Sequence, residues 1–331
     1  MTTDKYDDYR AQFDPDWDRE VDYQKPKAKR KAKTTAASII NTLADETVGL
    51  EGGFHITYTP ARYEEGFLLD STRAFFDQAL ITDILAQVKG GKEASVYRCT
   101  GHESTGKVLL AAKVYRPRQF RNLRNDKLYR EGRDIIKADG RPAKKTDHRL
   151  MRALNKKSSF GVQTAHTSWL MHEFNTLARL YKAGAAVPEP VASSDNAILM
   201  DYVGDAHTAA PTLNEIGLEP REAGLLFDKV IHNIQLMLQL GLIHGDLSAY
   251  NILYWEHDVT LIDFPQITDS ANNTHARFIL ERDITRVCDY FSRQGVRCEP
   301  RYLTNQLWQD YNPIDEKDRL ADWSKHQPEE E

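Results

Sequence analysis

Asp246, Asn251 and Asp263 have the types and spacing that phosphoryl transfer requires. The first two lie five residues apart in Leu242-Ile243-His244-Gly245-Asp246-Leu247-Ser248-Ala249-Tyr250-Asn251-Ile252-Leu253, a loop directly after a long helical pattern. Twelve residues further, Val259-Thr260-Leu261-Ile262-Asp263 reads as a buried strand that ends on a carboxylate. Such a transfer needs a carboxylate to orient the attacking hydroxyl and accept its proton, a role that suits Asp246. It also needs oxygen ligands for Mg2+ (or Mn2+), which the Asn251 carbonyl and Asp263 supply. Read alone, Asp263 is equally a turn residue before Pro265. His244 is better read as a hydrogen-bonding support for the loop than as a catalytic group.

Two further charges stand where apolar residues belong. Lys113 is the only charge in Val108-Leu109-Leu110-Ala111-Ala112-Lys113-Val114-Tyr115, and Glu173 shares a helix face with Trp169 and Leu177. A lone buried charge is costly, so each needs a partner, and the economical solution is that they pair. A Lys on a third strand held by a Glu on the following helix is how kinases position the α and β phosphates of ATP. Singly, these are a lysine at a strand edge and a glutamate at the border of a stripe. In the order Lys113, Glu173, Asp246, Asn251, Asp263, on elements of the right type, they match a kinase site, and the Asp-to-Asn spacing matches its catalytic loop.

The glycine loop is a weaker signal. Gly90-Gly91-Lys92-Glu93-Ala94-Ser95-Val96 lacks the three spaced glycines of ordinary protein kinases and alone is a tight turn. Two short strands ahead of Lys113 it can cover phosphates, with Gly91, Lys92 and Ser95 as candidate contacts. Val96, Ala111 and Leu253 would then sandwich the adenine, and Met200 would lead into a hinge at Tyr202 and Val203.

The elements that must position these residues follow from hydrophobic period. A short helix is predicted over 74–85, then strands over 84–88, 94–99 and 108–115 that suggest an antiparallel sheet. Helical period returns at Thr167 with the stripe Trp169, Leu170, Phe174, Leu177 and Leu180, and a strand follows over 197–202. A long helix starts at Pro220 and stops at Gly241, with the stripe Leu225, Leu226, Val230, Ile231, Ile234, Met237 and Leu238. This order is α+β: a bilobal fold with a small antiparallel sheet lobe and a mainly helical lobe. Five segments are expected: a charged tail over 1–35 too poor in apolar groups to order itself, a helical extension over 36–85, lobes over 86–203 and 204–315, and an acidic tail over 316–331. Residues 116–157 carry fifteen Lys or Arg against five Asp or Glu and no convincing apolar face; there is room for a short helix, but a mobile basic loop is the preferred reading.

Composition limits the class. The chain has 331 residues, 40% of them apolar, with a net charge of −5, enough for two real cores and against a wholesale nucleic-acid coat. No apolar run approaches the ~20 residues of a membrane helix, the first residues lack a secretory pattern, and three cysteines without metal spacing read as reduced thiols. A cytoplasmic protein is expected.

The motifs together resemble the RIO family of atypical protein kinases. Gly91-Lys92-Glu93-Ala94-Ser95-Val96-Tyr97 is similar to that family's Gly-Lys-Glu-Ala-Asn-Val-Tyr loop, with Ser95 in place of Asn. His244-Gly245-Asp246-Leu247-Ser248-Ala249-Tyr250-Asn251 resembles its His-(Ala/Gly)-Asp-Leu-Ser-Glu-Tyr-Asn, with Ala249 in place of Glu. Ile262-Asp263-Phe264-Pro265-Gln266 looks like the metal motif of the family's second branch, while the layout looks like the first, so the subfamily stays open. The resemblance covers roughly residues 70–295 and implies a serine/threonine kinase that uses ATP with a divalent cation. It implies no activation segment or peptide-docking subdomain: no Ala-Pro-Glu follows Asp263, and Gly245 stands where conventional kinases carry Arg. It also implies that Asp263 can accept the phosphoryl group, and that the basic stretch 116–157 sits where the family has a flexible loop.

Two rivals share part of the pattern. A small-molecule kinase of the aminoglycoside or choline phosphotransferase type has the same His-Gly-Asp and Asn, but not the Gly-Lys-Glu-Ala-Ser-Val-Tyr loop or Phe264-Pro265-Gln266. An ATP-gated ribosome-assembly factor would use the basic loop on RNA or a ribosomal particle, although the aromatics of a stacking platform are absent.

Overall fold

Burial with period two builds the first lobe. The computed structural model describes residues 56–91, 93–116, 135–136, 143, 147–156 and 158–311. The tail over 1–35, much of the helical extension, Lys92, most of the basic stretch and the acidic tail therefore lie outside the described residues. Helix α1 (Arg62–Asp77) precedes strands β1 (Ile81–Gly90), β2 (Ala94–Gly101) and β3 (Leu109–Tyr115). Strands β4 (Pro190–Ser193) and β5 (Ala197–Asp201) complete one antiparallel sheet in the order β1-β2-β3-β5-β4. Tyr97, Cys99, Leu110, Ala112, Val114, Ala197 and Leu199 pack one face against Leu68 and Phe75 of α1. Alternation sends Val96, Ala111, Lys113, Tyr115, Ile198 and Met200 to the other face. There Val96 pairs with Lys113, and Ala111 with Met200.

The helix expected over 74–85 is corrected. It ends at Asp77, the chain turns at Ala79 with φ 52°, and Ile81 and Ile84 are buried as strand residues. The basic stretch does hold a short helix, α2 (His148–Asn155), capped by Asp147 accepting from Leu150 N at 3.3 Å, and the buried Leu150 gives it an apolar contact. Helix α3 (Ser159–Lys182) begins eight residues earlier than its stripe suggests, capped by Ser158 on Gly161 N at 3.2 Å. Its Trp169 and Leu170 pack on Tyr115 and Ile198, while Leu177 and Leu180 enter the core of the second lobe.

That lobe is built on α4 (Pro220–Gln239), with Pro at its start and Gly241 at φ 71° after its end. Leu226, Val230, Ile234, Met237 and Leu238 are buried as expected, but Leu225 is 62% exposed and belongs to the solvent face. Short ribbons follow: β6 (Leu242–Ile243) with β9 (Thr268–Asp269), and β7 (Ile252–Trp255) with β8 (Asp258–Leu261). Helices α5 (Ala276–Arg293) and α6 (Pro300–Tyr311) close the lobe. Cys288 is disulfide-bonded to Cys298, their Cα atoms 5.6 Å apart, which corrects the expectation of three reduced thiols. The chain reverses after α5 through Gly295 at φ 90° and returns the second cysteine to the first. Cys99 is free and buried. No described helix is long and apolar enough to cross a membrane.

Candidate active site

Lys113, two residues before the end of β3, stands beside two carboxylates. Its Nζ lies 2.6 Å from Glu173 Oε1 on α3 and 2.6 Å from Asp263 Oδ1, two residues beyond β8. The expected pair is there, and it has become a triad. Burial alone would drag the Lys113 ammonium down, but the charges of Asp263 and Glu173 outweigh it and hold its pKa well above the ordinary value. Burial pushes the Asp263 carboxyl up, and Lys113 more than reverses this, leaving it below the usual range. Asp263 sits at φ 71°, a left-handed backbone that costs a non-glycine residue free energy and turns its carboxylate toward the sheet lobe.

The loop after β6 carries the next two groups. Asn251 Nδ2 donates to the Asp246 carbonyl at 2.9 Å, so its side-chain oxygen is turned away from the loop. His244 is buried and joins the Ile262 carbonyl (3.1 Å) to Asp246 N (3.3 Å), the geometry of a support. Ile262 N donates to the Asn251 carbonyl at 3.0 Å, which fixes the Asp263 segment against the loop. Gly245 has φ 85°, and a Cβ there would run into the Gln266 carbonyl; no arginine fits. Asn251 and Asp263 offer oxygens only, the donor type of a hard cation such as Mg2+, with the remaining ligands coming from phosphates and water. Among the described residues no cluster of three or more His, Cys, Asp or Glu could hold a metal without such help.

The remaining candidates divide. Val96, Ala111, Lys113 and Met200 share one face of the sheet. Gly91 is required by close approach, since a Cβ would stand 2.7 Å from the Ala94 carbonyl. Ser95 is buried opposite Val114 on the α1 face, while Val96 lies on the other face of β2. Val203 gives its carbonyl to Ala210 N at 3.0 Å, and the Tyr202 ring lies under the Arg98 guanidinium at 5.9 Å. Leu253, half-buried on β7, follows Asn251 by two residues.

Further contributors escaped the sequence reading. Tyr115 donates its hydroxyl to Glu173 Oε2. Asp283 of α5 is buried and accepts from Gly245 N at 2.7 Å, and Arg282 donates to the Gly245 carbonyl. Burial holds the Asp283 carboxyl above its ordinary pKa. Asp283 was detectable: it is a lone charge in the stripe Ile279, Leu280, Ile284, Val287, the signal that singled out Glu173.

An antiparallel five-stranded sheet whose third strand ties its lysine to a helix glutamate, set on helices that hold an Asp-Asn loop, is a protein-kinase-like fold. Within that class the chain belongs to the RIO family, because the family model described as the RIO domain matches residues 95–303. Serine/threonine-protein kinase RIO1 of Chaetomium thermophilum is 31% identical over 229 residues, 66% of this chain and 41% of that protein. RIO-type serine/threonine-protein kinase Rio1 of Haloferax volcanii is 28% identical over 209 residues, 63% of each. The human serine/threonine-protein kinase RIO1 is 27% identical over 224 residues, 66% of this chain and 35% of the relative. The chain thus spans less than two thirds of the length of these relatives.

Proposed function

We propose that the protein is an ATP-dependent phosphotransferase, a RIO-type serine/threonine kinase that passes the γ-phosphate to a hydroxyl, its own included, or to water as an ATPase switch. The observation that carries this reading is the Lys113 ammonium, 2.6 Å from both Glu173 and Asp263. Lys113 grips the α and β phosphates, and Glu173 holds it there. Bound Mg2+ (or Mn2+), held by Asn251 and Asp263, would neutralise phosphate charge. Asp246 takes the acceptor's proton as the acceptor oxygen bonds to the γ-phosphorus. The bond from that phosphorus to the β,γ-bridging oxygen breaks, and ADP leaves with its electron pair. Val96, Ala111 and Leu253 enclose the adenine, with Met200, Tyr202 and Val203 at the hinge. Asp263 is also a candidate phospho-acceptor, half-exposed in the cleft. We place the protein in the cytoplasm, where ATP is plentiful, and assign the basic stretch 116–157 to RNA or a ribosomal particle. The match to the RIO domain favours this reading over the small-molecule kinase.

Transfer from γ-labelled ATP to self, protein, RNA-bound acceptors and water tests this reading. Asp246→Asn should bind Mg-ATP normally and turn over about 100-fold or more slowly, whereas Asp263→Asn should also lose metal-dependent binding. Wild-type turnover in Asp246→Asn would refute it. Label on Asp263 as an acyl phosphate would be released by hydroxylamine; label that survives belongs to a hydroxyl residue.

A further inference from the structure

Helix α5 touches the catalytic loop three times in five residues. Arg282 and Asp283 grip the backbone of Gly245. Arg286, one turn on, reaches the side chain of Asp246 itself, its Nη1 2.7 Å from Oδ1. The loop over 244–251 contains no Lys or Arg of its own, so this cation comes from α5. Helix α5 is a rigid source, with Ile279, Leu280, Ile284, Val287 and Phe291 all buried.

The pair is not placed for stability. Arg286 and Asp246 are 38% and 39% exposed, and ion pairs that open to water contribute little to folding. Both are open to solvent, as a carboxylate that meets an incoming hydroxyl must be. We infer that Arg286 is a positioning residue for the Asp246 carboxylate, an inference that rests on the phosphotransferase reading above. An aspartate has few torsions, and fixing one oxygen fixes the other. Arg286 holds Oδ1, while Oδ2 lies 3.4 Å from Asn251 Nδ2, the outer limit of a hydrogen bond. Oδ2 is therefore the oxygen that takes the acceptor's proton. Phosphoryl transfer depends on alignment of the attacking oxygen, so a carboxylate free to swing lowers turnover and leaves nucleotide binding alone.

The test measures Mg-ATP affinity, kcat and thermal midpoint for wild type, Arg286→Ala and Arg286→Lys, and repeats Arg286→Ala in Asp246→Asn. Arg286→Ala should keep ATP affinity and thermal midpoint and lose about 10- to 100-fold in kcat. Arg286→Lys should recover part of this loss, since it restores the charge without the fork. In the Asp246→Asn background the same change should cost no more than about twofold, because the carboxylate it positions is gone. Wild-type or higher kcat in Arg286→Ala, a full additional loss in the double variant, or lost ATP binding would overturn the assignment. Only the Arg286 inference falls in those cases, because the wild type remains active. A wild type that turns over no ATP with any acceptor removes the phosphotransferase reading itself.

Discussion

Glu173 is 3% exposed, and both of its oxygens are engaged, Oε1 by Lys113 and Oε2 by the Tyr115 hydroxyl. A buried carboxylate with two partners cannot swing, so the lysine it holds is fixed as well. The Tyr115 ring is held in turn edge-on to Trp169, centroids 4.7 Å apart. Burial and the neighbouring Glu173 charge push the Tyr115 phenol well up, so it stays a donor. Tyr115→Phe keeps the ring contact and deletes only the donor, leaving Oε2 buried without its hydroxyl. It should cost about 1–3 kcal/mol in denaturant unfolding and weaken ATP binding modestly. Lys113→Ala should weaken Mg-ATP binding by about 10- to 100-fold, the range for charge-assisted hydrogen bonds. Glu173→Gln should do less, because an amide still accepts from Lys113. Calorimetric titration ranks the three; Lys113→Ala with unchanged affinity would remove the phosphate role.

At the scale of elements, α5 anchors the loop that carries Asp246. The Asp283 carboxylate is buried against the Gly245 amide, and burial holds its carboxyl above the ordinary range. Asp283→Asn keeps an acceptor of the same shape and should unfold close to wild type. Asp283→Ala leaves the Gly245 amide without its acceptor and should cost about 1–3 kcal/mol, read by urea unfolding. Equal losses would mean that the carboxylate's charge, and not its acceptor, holds the loop. The rule that a lone charge in an apolar stripe needs a partner exposed Glu173 and Lys113 in the bare sequence, and it reaches Asp283 too. It cannot reach Arg286, which means something only once α5 lies against a loop some 40 residues earlier. Which face Ser95 takes is not legible in the loop motif, because β2 already begins at Ala94 and strand alternation sends Ser95 and Val96 to opposite faces. Strand β4 has four residues, starts with proline and shows no alternation, so nothing announced it. Long amphipathic elements such as α4 were legible because their period repeats over five turns.

Across the whole molecule the lobes are tied in a few places. Helix α3 enters both cores, and the Lys113–Asp263 pair joins β3 of the sheet lobe to the segment after β8 of the helical lobe. That pair gives the protein a pH signature. Asp263 titrates below its ordinary range when folded, so its contribution is present above about pH 4 and is lost as pH falls through the folded value. Lys113 titrates well above its ordinary value when folded, so its contribution is present below about pH 10 and is lost only as pH rises through the folded value. Both are present across the neutral window. Asp263→Asn removes the carboxylate and leaves Lys113 its contact with Glu173. The stability difference between wild type and Asp263→Asn should therefore be flat from about pH 6 to 9 and shrink as pH falls below about 4, where the unfolded carboxylate takes up its proton before the folded one does. Urea unfolding of both proteins from pH 3 to 9 measures it. Asp263 is 43% exposed, so water screens the pair and the difference should be modest. Its sign and pH limits carry the test: a gap that does not change with pH would mean that Asp263 contributes no charge to the contact between the lobes.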